Sequence, residues 1–196
     1  MTDNQEIIHH RTTLAQTFLN LRLDKDVRII DVACGTGIVA EELRSHGYTN
    51  IDGLDPVEGY LQVAQSNHLY KKVFKSFIDE RVPTPIEDDT YDVMICCAGF
   101  FQSLISPKAF PELIRITKKG GILLWNQMEG YNSISGTIPQ FDESIQFLID
   151  IGRWSPIKII RCDLLRFSDC GSAYLRGLES SGVTAPGFVF IMAKLT

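Results

Sequence analysis

The stretch Ile29-Ile-Asp31-Val-Ala-Cys-Gly35-Thr-Gly37-Ile-Val-Ala40 decides the fold. A β-branched run from Val27 to Val32 breaks at two glycines, after which Ile38, Val39, Ala40 and Leu43 mark the inner face of a helix stopped by Gly47. The order is strand, glycine turn, helix. Glycines directly after a strand let the backbone turn sharply and come close to a ligand, while the helix amino terminus presents unpaired N–H groups. Such a turn suits a nucleotide-like ligand.

Outward from this unit the pattern repeats. Asn50 to Leu54 reads as a strand, Pro56 to Asn67 as a helix, and Lys72 to Phe77 as the next strand. Asp79 to Thr90, with Pro83, Pro85 and the acids Glu87, Asp88 and Asp89, reads as a solvated loop rather than a metal site, because a hard cation needs convergent oxygens. Tyr91 to Ala98 is nearly unbroken apolar, as a parallel strand buried on both faces should be. Ser106-Pro107 opens a helix with Phe110, Leu113 and Ile114 facing inward, and Gly120-Gly121 leads into a strand from Ile122 to Asn126. Alternating strand and helix specify an α/β fold with a parallel sheet, since parallel strands need a crossover that a helix supplies. The last third reads as a helix from Asp142 to Gly152, then strands at Ile157–Arg166 and Phe188–Leu195, and two late strands without an intervening helix imply an antiparallel edge hairpin. The first residues, from Gln5 to Leu23, read as an amphipathic helix.

Composition narrows the classes. With 196 residues, 44% of them hydrophobic and 22% charged, the chain reads as one globular domain over residues 1–196. The longest apolar stretch, Val93 to Phe101, is far short of the roughly 20 residues a membrane helix needs. A net charge of −5 argues against a nonspecific grip on nucleic acid or anionic lipid, which depends on clustered Lys and Arg. Met1 to His10 lacks the basic start and apolar core of a secretory signal, so the reading is cytosolic. Cys34, Cys96, Cys97, Cys162 and Cys170 show no C-x-x-C or zinc-ligand spacing and read as reduced thiols; no metal is expected.

Asp55 ends the second strand eighteen residues beyond Gly37, where a carboxylate can accept both hydroxyls of an adenosine ribose. Gly35-x-Gly37-x-x-Ala40 with such an acid also fits the dinucleotide fingerprint, so a nicotinamide-dependent oxidoreductase stays open. Asp31 tips the balance. Four residues before Gly35, its carboxylate is awkward beside a pyrophosphate and suits a ligand that carries an ammonium, as S-adenosylmethionine does; the plainer reading is a buried acid capping local backbone.

Asp31-Val-Ala-Cys-Gly-Thr-Gly37, Gly53-Leu-Asp55, Tyr91-Asp92-Val93 and Ile114-Arg-Ile-Thr-Lys-Lys-Gly-Gly121 resemble, in order and spacing, the motifs of class I S-adenosylmethionine-dependent methyltransferases. Val39-Ala40-Glu41-Glu42-Leu43 and Phe110-Pro-Glu-Leu-Ile-Arg-Ile-Thr117 look most like the methyltransferase-like proteins named after the Williams–Beuren chromosome region. The resemblance covers Val27 to Met128 well and the final third loosely. It implies a Rossmann-like, mostly parallel seven-stranded sheet with helices on both faces. It further implies Asp31 near the methionine ammonium, Ala33, Cys34, Gly35, Thr36 and Gly37 against the methionine and ribose, and Asp55 on the ribose hydroxyls. Pro56 and Tyr60 would pack on the adenine, backbone at Phe77 and Ile78 would meet its edge, and Cys97 with Ala98 would lie beside the sulfonium. Ser76-Phe77-Ile78-Asp79 replaces the family's Asp-Ala pair, and the aromatic and Tyr-Asp lid elements that usually precede the first strand are not found, so Gln5 to Leu23 is left as a partial lid.

Methyl transfer from a sulfonium is an in-line displacement whose leaving group is already in place, so no dedicated catalytic base is required and none is assigned. Acceptor-pocket residues are expected after the fourth and fifth strands: Phe100, Phe101, Asn126, Glu129 and Tyr131, with core packing an equal alternative for the two phenylalanines. Trp125 and Trp154 read as core, and His9, His10, His46 and His68 as surface, with His9 and His10 alone within reach of a lid. The Asn/Asp-Pro-Pro-aromatic motif of DNA amino-group methyltransferases is absent, which disfavours nucleic-acid acceptors. The expectation is methylation of a small molecule, or secondarily of a protein side chain; a noncatalytic S-adenosylmethionine-binding regulator is the alternative.

Overall fold

The computed structural model describes residues 10–100, 105–128, 140–166 and 184–196. Along them run α1 (His10–Asn20), β1 (Ile29–Val32), α2 (Ile38–Ser45), β2 (Ile51–Asp55), α3 (Glu58–Ser66), β3 (Val73–Lys75) and β4 (Tyr91–Cys96). A 3-10 turn at Pro107–Ala109 leads into α4 (Phe110–Ile116), followed by β5 (Thr117–Met128), α5 (Gln140–Asp150), β6 (Trp154–Arg166) and β7 (Thr184–Lys194). The seven strands form one sheet in the order β3-β2-β1-β4-β5-β7-β6. β1 to β5 are parallel, and β7 runs antiparallel to both β5 and β6. The Rossmann-like fold and the antiparallel edge agree with the sequence. The chain order does not reveal that the closing strand inserts between β5 and β6.

Two cores lie on opposite faces because strand side chains alternate. Ile30, Val32, Met94, Leu123 and Trp125 face α4 and α5, while Ile29, Val93, Ile95 and Leu124 face α1 and α2. Helices therefore cover both faces, and strands buried on both sides must read as continuous apolar runs. Trp125 stacks on Phe190 with ring centroids 5.0 Å apart, and Trp154 meets Phe110 edge-on at 4.8 Å, so both tryptophans are core as expected.

Several boundaries differ from the sequence reading, among them α1 ending at Asn20, β6 beginning at Trp154 and β7 at Thr184, and two have a clear physical reason. β3 stops at Lys75, the partner of Asp55 at the end of β2, so Ser76 and Phe77 have no strand to pair with. Gly120-Gly121 does not precede β5 but sits inside it: Thr117 pairs with Tyr91 and Ile122 with Val93, so the intervening residues bulge opposite Asp92. That bulge needs glycine, because Gly120 has φ +77° and a Cβ on Gly121 would fall 2.8 Å from the Lys118 carbonyl oxygen.

The loop before β4 is tied down by ion pairs. The buried Glu112 carboxylate accepts hydrogen bonds from Thr84 N–H and Thr84 Oγ1, each at 2.7 Å, and from Arg115 Nε and Nη2, also at 2.7 Å. Asp88 pairs with Arg115, and Asp89 with Lys194 at 2.6 Å, so two of the three loop acids serve as ion-pair partners. Burial alone would raise the Glu112 carboxyl, but the bonds from Arg115 and Thr84 outweigh it and hold it below the usual carboxylate range. Its stabilisation is present at neutral pH and lost as acidification protonates it. Glu112→Ala, which strands Arg115 and Thr84, is expected to cost about 2–3 kcal/mol; a lowered urea midpoint checks this.

Candidate cofactor site

The strand order reverses between β1 and β4: β2 and β3 extend to one side, β5 onward to the other. In open α/β sheets ligands gather at the carboxyl ends of strands at this switch point. Asp31 lies here, level with Gly53 on β2 and Ile95 on β4.

The turn after β1 is built by backbone strain that glycine relieves at two places. Gly35 has φ +55° and Gly37 φ +96°, the left-handed region, and Ala33 joins them at φ +54°. The two glycines differ in surroundings. A Cβ on Gly37 would strike Leu69 Cδ1 at 2.4 Å, whereas a Cβ on Gly35 would meet nothing within 4 Å. Gly37 is thus required by its left-handed backbone, with Leu69 and the Tyr70 ring packed close to it, and Gly35 faces open space. Gly37 caps α2 from the left-handed region with no side-chain hydrogen bond.

Asp55 latches this turn. Its Oδ2 accepts the Gly35 N–H at 2.9 Å and its Oδ1 the Val57 N–H at 2.8 Å. A carboxylate has about four lone-pair sites, so each oxygen keeps capacity for a ligand hydroxyl. Pro56 is half-buried, and Tyr60 on α3 is 46% exposed. Phe77, past the end of β3, is 71% exposed, while the Ile78 side chain turns into the core and leaves only its backbone for the site.

Asp31 is 1% exposed, and among the described residues no lysine, arginine or histidine pairs with it. Its Oδ2 accepts the Tyr70 hydroxyl at 2.7 Å. Burial pushes its carboxyl up to about 7; the Tyr70 bond opposes this and neighbouring Asp55 reinforces it. Burial and the nearby carboxylates likewise push the Cys34 thiol up, and burial with Asp31 pushes the Tyr70 phenol up, so both stay protonated at neutral pH. Tyr70 was not singled out in the sequence, because a lone aromatic between a helix and a three-residue strand has no spacing to mark it.

On the other side of the switch point, half-buried Cys97 follows β4. Asn126, expected in an acceptor pocket, is instead 2% exposed, with its Oδ1 accepting the Ala98 N–H at 2.7 Å and its Nδ2 3.8 Å from Cys97 Sγ. It clamps the turn after β4, where Ala98 has φ +59°. Phe100 takes the core alternative of its two readings: its ring packs against Phe110 at 5.1 Å and Phe141 at 5.5 Å. Phe101, Glu129 and Tyr131 lie outside the described residues, as do His9 and Cys170, while His46 and His68 are exposed.

Residues 30–125 match the family model described as "Methyltransferase domain". An S-adenosylmethionine-dependent methyltransferase of Methanosarcina mazei superposes with a TM-score of 0.65 at 19% identity, covering 91% of this chain and 97% of that one. The fold is that of the class I S-adenosylmethionine-dependent methyltransferases. Among curated proteins, Methyltransferase-like protein 27 of Homo sapiens is 30% identical over 122 residues, 62% of this chain and 47% of its own. The ubiquinone/menaquinone biosynthesis C-methyltransferase UbiE of Campylobacter jejuni is 32% identical over 121 residues, 58% of this chain and 50% of its own. The chain thus spans about half the length of the curated relatives it matches.

A buried acid whose carboxyl is raised in the folded state loses stability as pH climbs from its ordinary range toward about 7, because only the unfolded chain ionises freely there. Asp31→Asn is therefore expected to raise the thermal midpoint at pH 8, by roughly 2–4 °C for each kcal/mol relieved, and to change it little at pH 4. Calorimetry at the two pH values checks the sign.

Proposed function

We propose that this chain is an S-adenosylmethionine-dependent methyltransferase acting on a small molecule. One observation carries the reading: Asp31, a buried carboxylate with no cationic partner among the described residues, stands near the end of β1 beside a turn whose Gly35 faces open space. A buried charge needs a counter-charge, and an amino-acid ammonium supplies one where a pyrophosphate could not.

S-adenosylmethionine, when bound, supplies a methyl group on a sulfonium that is already a leaving group. The chain's part is to hold and align. Asp31 would take the ammonium, Ala33 to Gly37 would line the methionine and ribose, and Asp55 would accept the ribose hydroxyls from the oxygens that also latch Gly35 and Val57. Pro56 and Tyr60 would cover the adenine and the Phe77–Ile78 backbone would meet its edge. Cys97, on the turn that Asn126 clamps, would border the reacting methyl. Alignment of the acceptor and exclusion of water then supply the rate, with no proton relay built in.

Phe101 and Glu129 remain the proposed acceptor contacts. A small-molecule acceptor is favoured by UbiE, whose name places it in ubiquinone/menaquinone biosynthesis, and by the Sterol 24-C-methyltransferase erg6 of Schizosaccharomyces pombe, 25% identical over 169 residues. The net charge of −5 supports a reading in which nucleic acid is not the acceptor. Cys34, Cys96 and Cys97 carry thiols rather than disulfides, which supports a reducing, cytosolic setting. No helix among the described residues is long and apolar enough to cross a membrane. Kinship with the methyltransferase-like proteins named after the Williams–Beuren region is supported by the wording of Val39–Leu43 and Phe110–Thr117.

S-adenosylhomocysteine at 100-fold above its Kd is expected to raise the thermal midpoint by roughly 5–10 °C, and NAD to leave it unchanged. The reverse pattern would sink the reading in favour of an oxidoreductase. Asp55→Asn should weaken S-adenosylhomocysteine about 10- to 100-fold by titration calorimetry, the equivalent of about 1.5–3 kcal/mol for a charged acceptor. With methyl-labelled cofactor and a cell extract, label is expected in the metabolite fraction. Label in protein would shift the acceptor class, and binding without any transfer would favour a regulator.

A further inference from the structure

Tyr70 sits in the connection between α3 and β3, which is pinned along β2 by Lys71 N–H to the Ile51 carbonyl at 2.8 Å and by Gly53 N–H to the Lys72 carbonyl at 2.9 Å. Its ring fills the space that two glycines leave. A Cβ on Gly53 would lie 3.1 Å from Tyr70 Cδ2, and one on Gly37 would lie 3.3 Å from Tyr70 Cε2. Gly53 has ordinary strand backbone, so it is glycine for the sake of this ring and of Cys34 Sγ, 3.0 Å from the same point, rather than for a turn. The phenol is thereby wedged between the glycine turn and β2, with its hydroxyl 2.7 Å from Asp31 Oδ2.

Among the described residues this is the single hydrogen bond that the Asp31 carboxylate makes. A carboxylate with one oxygen fixed by a rigid donor presents the other in a set direction. We propose that Tyr70 is a positioning residue that aims Asp31 at the amino group of the ligand, so that the site selects nucleoside thioethers carrying an amino-acid end over truncated ones. The proposal rests on the cofactor reading above. The groups whose charge bears on Asp31 are Asp55 on β2, Cys34 on the turn, Cys96 on β4 and Tyr70 itself; Asp55 pushes the Asp31 carboxyl up, and burial holds the thiols and phenol protonated. Tyr70 is thus the one neighbour among them that favours the ionised carboxylate. Without its hydroxyl, Asp31 would hold its proton to still higher pH, and the ammonium would meet a neutral acid.

The test compares S-adenosylhomocysteine with 5′-methylthioadenosine, which keeps the nucleoside thioether and lacks the amino-acid end, on wild type and Tyr70→Phe by titration calorimetry from pH 6 to 9. Phe keeps the ring that packs on Gly37 and Gly53. The ratio of the two affinities within one variant is also independent of the fraction folded. Wild type should bind S-adenosylhomocysteine more tightly, with affinity falling as the pH drops below about 7. In Tyr70→Phe the preference should shrink about tenfold at pH 7, with 5′-methylthioadenosine unchanged within about twofold, and the fall should move to higher pH. In an Asp31→Asn background, Tyr70→Phe should leave the ratio unaltered. An unchanged ratio in Tyr70→Phe, or equal weakening of both ligands, overturns the proposal while leaving the cofactor reading in place. If neither ligand binds wild type, the cofactor reading fails and the proposal with it.

Discussion

Parallel pairing of β1 with β2 on one side and β4 on the other is the constraint on which the rest of this molecule depends. The register sets Asp31 beside Gly53 and Ile95, so three strand ends meet at one level and the turns leaving them open toward the same space. Crossover helices are forced by parallel pairing, and they cover the two faces with separate cores. Everything at the site is carried by this rigid platform: the glycine turn by β1, the Asp55 latch by β2, and the Cys97–Ala98 turn by β4.

The platform places a carboxylate where a carboxylate is least stable. Burial raises Asp31 to about 7, and the Tyr70 hydroxyl offsets only part of that cost. Asp31 has no lysine, arginine or histidine partner among the described residues, and the wedged Tyr70 phenol is its hydrogen-bond donor, so the fold leaves much of its desolvation cost standing. Asp55 shows the opposite solution: its oxygens accept two backbone N–H groups, so it shapes the turn and still has lone pairs to offer.

The acceptor side is organised by packing more than by exposed polar groups. Asn126 turns its amide oxygen onto the Ala98 N–H, and Phe100 joins the rings of Phe110, Trp125 and Phe141. These residues hold the turn after β4 in its left-handed conformation and support it from below. Their role is to fix where Cys97 stands.

The sequence by itself determined the α/β class, the glycine turn and the two acids at strand ends. Those features follow from local rules: period-2 and period-3.6 patterns, glycine where φ is positive, and motif spacing along one strand-turn-helix unit. Even the apolar run from Tyr91 announced a strand buried on both faces. Only the tertiary structure decided that β7 inserts between β5 and β6, that Asn126 clamps a backbone turn instead of facing an acceptor, and that Gly53 is small to admit Tyr70. Each of these joins residues far apart in the chain, as Tyr70 with Asp31 and Asn126 with Ala98 do, and such pairings are fixed by sheet order and register, which no local pattern encodes.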